Sequence, residues 1–160
     1  MQPTLVDQHV LVLGLGASGL AMALWCARQG ARVTVADTRQ DPPQRAALRQ
    51  QSPQAAFVAG DFHAALVEGT DIRAVFCSPG LAPQQLAPVV GPARALGLWV
   101  SGEIGLFSAG LDAAGKPTAA LLKKLAALGR DESAVASIKK ASDGKLVMLF
   151  LPQLAAGQTL

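Results

Sequence analysis

The stretch His9-Val-Leu-Val-Leu-Gly-Leu-Gly-Ala-Ser-Gly-Leu20 decides the fold. His9 to Leu13 is a short apolar run carrying two β-branched residues, the length and character of a buried strand. Gly14-x-Gly16-x-x-Gly19 follows at once, and Leu20, Leu24 and Ala27 then recur at helical spacing up to Gln29. Strand, glycine turn and helix in that order make a phosphate-binding turn. Glycine permits the sharp bend and lets backbone N–H groups approach an anion, while the helix N-terminus adds partial positive charge. As a bare pattern the triplet is weak, and its setting is what strengthens it. Ser18 is the polar side chain of the loop, placed either to donate to a phosphate oxygen or to cap the helix.

Outward from that turn the pattern repeats. Gly30 closes the first helix, and Arg32-Val-Thr-Val-Ala36 is a second buried strand ending on Asp37-Thr38-Arg39. Pro42-Pro43 opens a helical segment to about Gln51, Ala55 to Val58 is a third strand, and Asp61 to Val67 a short helix. Arg73 to Cys77 reads as a fourth strand running into Ser78-Pro79-Gly80. A helix over Gln84 to Leu96, a fifth strand over Leu98 to Val100 and a new helical turn from Gly102 complete the series. Strands alternating with helices require crossovers, and right-handed crossovers give an α/β, Rossmann-like, doubly wound and mostly parallel five-stranded sheet with helices on both faces. After Gly110 the texture changes. Leu121, Leu122, Leu125 and Leu128 mark an amphipathic helix, a second helix ends near Ala141, and Leu146 to Leu151 is an apolar run of strand length. The expected domains are therefore residues 1–110, the Rossmann-like unit, and 111–160, a helix-helix-strand tail.

Composition limits what such a fold can do. In 160 residues with 51% apolar and 16% charged, disorder is excluded and one ordinary domain with an appendage is expected. No stretch approaches the roughly 18 consecutive apolar residues of a membrane span. The net charge of +3 is scattered, so no basic stripe points to nucleic acid. Cys26 and Cys77 have no metal-ligand spacing and no secretory leader precedes them, which predicts reduced thiols in a cytoplasmic protein.

Three places could carry chemistry. Gly14, Gly16, Ala17, Ser18 and Gly19 form the turn. Asp37, Thr38 and Arg39 stand at the carboxyl end of the second strand, where open α/β sheets place ligands; Asp37 lies 18 residues beyond Gly19 and could accept from a ribose hydroxyl, and Arg39 could hold a phosphate or stack on a base. Ser78 and Gly80, around a rigid proline, suit a loop that cups a ligand from the opposite side. Glu103 follows a strand end on the same side and is the remaining acid of interest, with helix capping as its alternative role. Gly110 to Lys116 has the spacing of a P-loop, but Pro117 replaces the hydroxyl residue that would reach Mg²⁺, so it reads as a linker. No catalytic or metal-ligating set is apparent, and His9 and His63 read as structural or solvated.

Val10 to Gly19, Ala36-Asp-Thr-Arg39, Ser78-Pro-Gly80 and Ser101-Gly-Glu-Ile-Gly-Leu-Phe107, in this order and spacing, resemble the N-terminal domain of the UDP-N-acetylmuramoyl-L-alanine:D-glutamate ligases, a family of Mur ligases of peptidoglycan synthesis. The likeness covers about residues 5 to 110. It implies a Rossmann-like domain that takes UDP-N-acetylmuramoyl-L-alanine by its UDP part and does not take NAD. Ala17 and Ser18 would lie at the diphosphate, Thr38 and Arg39 at the uridine end, and Ser78 with Gly80 on the opposite lip; Asp37 would shape the turn. The family continues with an ATP-binding loop, a central ATPase domain and a C-terminal amino-acid-binding domain. Residues 111–160 do not resemble that continuation, so ATP and Mg²⁺ are expected only in the missing domains, and this chain is expected to bind without ligating. Two other readings stay open: an NAD(P)-binding module of an oxidoreductase, and a non-catalytic structural or regulatory remnant that self-associates through its tail.

Overall fold

A computed structural model describes residues 4–103, 105 and 106. Five strands and their crossovers run β1 (His9–Leu13), α1 (Ala17–Arg28), β2 (Arg32–Asp37), α2 (Arg45–Gln51), β3 (Ala56–Ala59), a 3₁₀ turn (Ala64–Leu66), β4 (Ile72–Cys77), α3 (Pro83–Ala95) and β5 (Trp99–Gly102). Every pairing is parallel and the spatial order is β3-β2-β1-β4-β5. The chain divides into two compact units, and the one of residues 3–103 contains this sheet.

Alternation along β1 assigns its neighbours to two layers. Leu11 and Leu13 pack with Ala36, Val75, Val89 and Ala93 beneath α3, and Phe62 and Val67 close that core around the 3₁₀ turn. Val10 and Val12 point the other way, in register with Val33 and Val35 of β2 and with Ala74 and Phe76 of β4. Met22, Ala23 and Cys26 are the buried apolar side chains of α1, in the other layer. A strand buried on both faces is apolar throughout, which is why β1 reads as a continuous run. Phe76 and Trp99 meet edge to face, ring centroids 5.0 Å apart at 89°, joining β4 to β5.

Strand order places the ligand crevice. The chain moves from β1 through β2 to β3 on one side, then returns to put β4 on the other side of β1. The carboxyl ends of β1 and β4 therefore flank a topological switch point, the position at which open α/β sheets bind ligands. Gly14 leaves β1 there, and Ser78 leaves β4 beside it.

Most expected elements are present. The doubled proline does not open α2: Pro42 and Pro43 stand in a turn and the helix begins at Arg45, consistent with the bias of pre-proline residues against helical backbone. The segment from Asp61 to Val67 tightens into a three-residue 3₁₀ turn, too short for an α-helix. Glu103 and residues 105 and 106 are helical, as expected after Gly102. The expected boundary at 110, the P-loop-like segment Gly110 to Lys116, the two tail helices and the apolar run Leu146 to Leu151 lie outside the described residues.

At the amino end of the sheet, His9 bonds through Nδ1 to Asp71 (2.6 Å) and through Nε2 to Thr34 Oγ1 (2.8 Å), while Arg32 pairs with Asp71. Burial and the Arg32 charge hold the imidazole pKa below its ordinary value. Neutral His9 then donates from Nδ1–H to Asp71 and accepts the Thr34 hydroxyl at Nε2. The structural reading of His9 is the one observed.

Close approach of α1 to the turn rests on Gly19: a Cβ there would lie 1.8 Å from the Gly14 carbonyl oxygen. Gly16, by contrast, has nothing within 4 Å of the same added atom. Gly19→Ala is expected to lower stability by about 3 kcal/mol in urea denaturation, and Gly16→Ala by less than about 1 kcal/mol. Equal costs at the two positions would remove the packing role assigned to Gly19.

Candidate functional site

The turn after β1 is built from backbone. Gly14 adopts φ +90°, open to glycine and strained for other residues, and its N–H donates to the Ala36 carbonyl (2.7 Å). Leu15 is fully buried, anchoring the loop, and Gly16 stands as the N-cap of α1. The first bond internal to the helix runs from Leu20 N–H to the Gly16 carbonyl (2.9 Å), so the amides of the first turn are not used by the helix itself. No side chain caps this end and the first turn carries no acid. Ser18 is therefore not the cap that one sequence reading allowed. It is buried one position beyond Ala17, and its hydroxyl bonds to the carboxyl of Glu103.

Asp37 closes β2 with its carboxylate 3% exposed. Oδ1 accepts from Arg39 N–H (2.9 Å) and Arg39 Nε (2.9 Å), and Oδ2 accepts from Leu15 N–H (2.7 Å) and an Arg39 terminal nitrogen (2.8 Å). Four donors fill the four lone-pair positions of an ionised carboxylate. Burial pushes this carboxyl up, but the Arg39 side chain, the Arg39 amide and the Leu15 amide outweigh it and bring the pKa from 3.8 down to about 2. The group is thus committed to holding Leu15 and Arg39. Thr38 and Arg39 are exposed at the rim.

Ser78 continues β4 through a bond from its N–H to the Leu13 carbonyl (3.0 Å), and its hydroxyl donates to the Gly14 carbonyl (3.2 Å). Its side chain faces the turn, so what β4 presents outward is exposed Pro79-Gly80. A cavity of 460 Å³ lies to one side, between α3 and the ends of β4 and β5, lined by Cys77, Leu86, Arg94, Ser101 and Gly102 among others. It contains none of the turn residues. Burial raises the Cys77 thiol against the pull of Arg94, and pushes Cys26 up to about 12, so both thiols are neutral and unreactive at pH 7. Among the described residues no group of three or more His, Cys, Asp or Glu could hold a metal ion, and no helix is long and apolar enough to cross a membrane.

The structure therefore brings Gly14 to Gly19, Asp37 to Arg39 and Ser78 to Gly80 to one end of the sheet. Three contacts were not visible in sequence: the Leu15 amide on Asp37, the Ser78 hydroxyl on Gly14, and Ser18 on Glu103. Each joins residues far apart in the chain, and only the conjunction of strand ends in a parallel sheet could have suggested them.

Comparison with known proteins follows the same boundaries. The family model described as Mur ligase MurD-like, N-terminal domain, matches residues 8–102. UDP-N-acetylmuramoylalanine–D-glutamate ligase of Albidiferax ferrireducens is 64% identical over 107 residues, covering 67% of this chain and 21% of that protein. The enzyme of the same name from a Polaromonas species is 61% identical over 107 residues, 67% of this chain and 18% of its own. The chain spans about a fifth of the length of these relatives. Among solved structures, a pseudomurein peptide ligase type C from Methanothermus fervidus superposes with a TM-score of 0.52 at 18% identity, over 63% of this chain and 20% of that one, a likeness of fold.

The Asp37 carboxylate yields a pH test. Its depressed pKa contributes stability that is present above the unfolded value of 3.8 and lost as pH falls through about 2. Asp37→Asn is expected to be less stable than the unmutated chain by up to about 2 kcal/mol at neutral pH, with the difference vanishing near the bottom of that window. A difference independent of pH would show that the charge is not what holds the loop.

Proposed function

The chain belongs to the Mur ligase family as a MurD-like N-terminal domain, and we propose from that premise that it holds the UDP part of UDP-N-acetylmuramoyl-L-alanine. Ala17 and Ser18, with Gly14, Gly16 and Gly19 shaping the backbone, receive the diphosphate at the N-terminus of α1. Thr38 and Arg39 lie at the uridine end, and Ser78 with Gly80 forms the opposite lip. Asp37 acts by fixing the turn.

The observation that carries this reading is the saturation of Asp37. A dinucleotide site of the NAD type uses the acid at the end of the second strand to accept from a ribose hydroxyl. Here all four positions of that acid are occupied by Leu15 and Arg39, which favours a ligand recognised by its diphosphate and by Thr38-Arg39. The uncapped first turn of α1, which carries no acid of its own, supports an anion in the same place.

By themselves these residues bind and orient; they do not ligate. Gly110 to Lys116 has the spacing of a P-loop but is followed by Pro117 where a hydroxyl would be needed. On this reading ATP and Mg²⁺ belong to the parts of the family beyond the matched fifth. The two cysteines are free thiols, which agrees with a reducing, cytoplasmic setting.

Parallel calorimetric titration with UDP-N-acetylmuramoyl-L-alanine, UDP and NADH tests the assignment. The first two are expected to bind and NADH is not; binding of NADH alone would falsify it. Ser18→Trp and Arg39→Ala are each expected to weaken UDP at least about tenfold, or 1.4 kcal/mol, with the far-ultraviolet circular dichroism unchanged. Unaltered affinity would remove those residues from the site. No ATP turnover is expected from the purified chain.

A further inference from the structure

Residues 38–44 join β2 to α2 and carry Thr38 and Arg39. Thr38, Arg39, Gln40 and Asp41 are exposed, and among the described residues no backbone-to-backbone bond reaches any of them. Such a segment has little of its own to fix its direction. Its near end is held by Asp37, whose carboxylate takes Arg39 and whose carbonyl accepts the Gly60 N–H (3.0 Å). At the far end Pro42 is buried and its carbonyl accepts the Arg45 N–H (3.1 Å). The exposed part between these ends is spanned by one side chain.

That side chain is Arg45, the first residue of α2. Its guanidinium reaches back to donate to the Gln40 carbonyl, next to Arg39, and its Cζ lies 4.8 Å from the centre of the Phe57 ring. A guanidinium at that distance over a ring face is held by cation–π attraction. Phe57 stands on β3 in register with Val35 of β2 and is half-buried, so the ring is a fixed support. Arg45 thereby ties the exposed loop to the strand beside it.

For α2 alone, a cation at this position is unfavourable. The N-terminus of a helix carries partial positive charge, which acids stabilise and bases oppose. No acid stands in the first turn of α2 and no side chain caps it, so nothing on the helix offsets the charge. The helix has only seven residues and little intrinsic stability to spare. A residue that works against its own element points to a role elsewhere. The contacts of Arg45 locate that role at the carbonyl beside Arg39.

We propose that Arg45 and Phe57 are positioning residues for the base end of the ligand: together they hold the backbone of Thr38 to Gln40 in the direction that receives uridine. Affinity for the nucleoside then depends on a cation–ring contact made outside the residues that touch it. The inference rests on the assignment of Thr38 and Arg39 to the uridine end made above.

The test is calorimetric titration of the whole 160-residue chain with UDP, each variant first checked for folding by circular dichroism. Arg45→Met and Phe57→Leu are each expected to weaken UDP about fivefold, and the double variant no more than either alone. Phe57→Tyr keeps a ring face beneath the guanidinium and should bind as the unmutated chain does. In an Arg39→Ala background, where the residue to be positioned is gone, Arg45→Met should weaken UDP by less than about twofold. A role confined to stability would instead lower the thermal midpoint and leave the affinity of the folded chain unchanged. Unchanged UDP affinity in either Arg45→Met or Phe57→Leu, or a loss that persists in full in the Arg39→Ala background, overturns the inference and leaves the UDP assignment standing. Absence of UDP binding to the unmutated chain overturns both.

Discussion

One carboxylate with four hydrogen bonds holds this site together. Asp37 ends the strand beside β1, reaches across to the Leu15 amide and folds Arg39 back on itself. Without it the buried Leu15 N–H would be an orphan and the loop after β2 would have no fixed direction. Everything else at the carboxyl end follows from that anchorage. Gly14 can turn because its amide and carbonyl are taken by Ala36 and Ser78, and α1 can start against the turn because Gly19 has no side chain.

The three glycines of the motif illustrate how a sequence pattern resolves into separate physical demands. Gly14 needs a positive φ, Gly19 needs the absence of Cβ, and Gly16 needs neither from the protein around it. The space left open at Gly16 is where the proposed diphosphate would approach the loop. A pattern conserving backbone access reads differently from one conserving packing, although both are spelled with the same residue.

Much of the architecture was legible because period and punctuation agreed. The apolar run of β1, the helix stops at Gly30 and Gly97, and the strand ends at Asp37 and Cys77 each carried a local signal, and alternation of elements gave the parallel sheet. Local signals failed where the deciding partner was remote. The prolines at 42 and 43 delayed a helix they were expected to open. Ser18 offered a choice between cap and phosphate ligand, and its contact with Glu103 could not be seen in a sequence that separates the two by most of the domain. Asp37 looked like a ribose acceptor until the Leu15 and Arg39 donors were in place. Residue types announce what chemistry is available; spatial neighbours decide which part of it is already in use.

The position of β1 has a consequence for how the domain opens. It is the middle strand, paired on both sides, buried on both faces and tied at its amino end through His9 to Thr34 and Asp71. Among the described residues, strands β3 and β5 each pair with one neighbour. Backbone amides at the margins of a sheet exchange with solvent through small local openings, whereas those of the central strand exchange only when the whole domain unfolds. The phosphate turn grows from that most persistent strand. Its amides retain their geometry through the fluctuations that loosen the margins, so the proposed diphosphate would meet donors already arranged, and little of the binding free energy would go into ordering them.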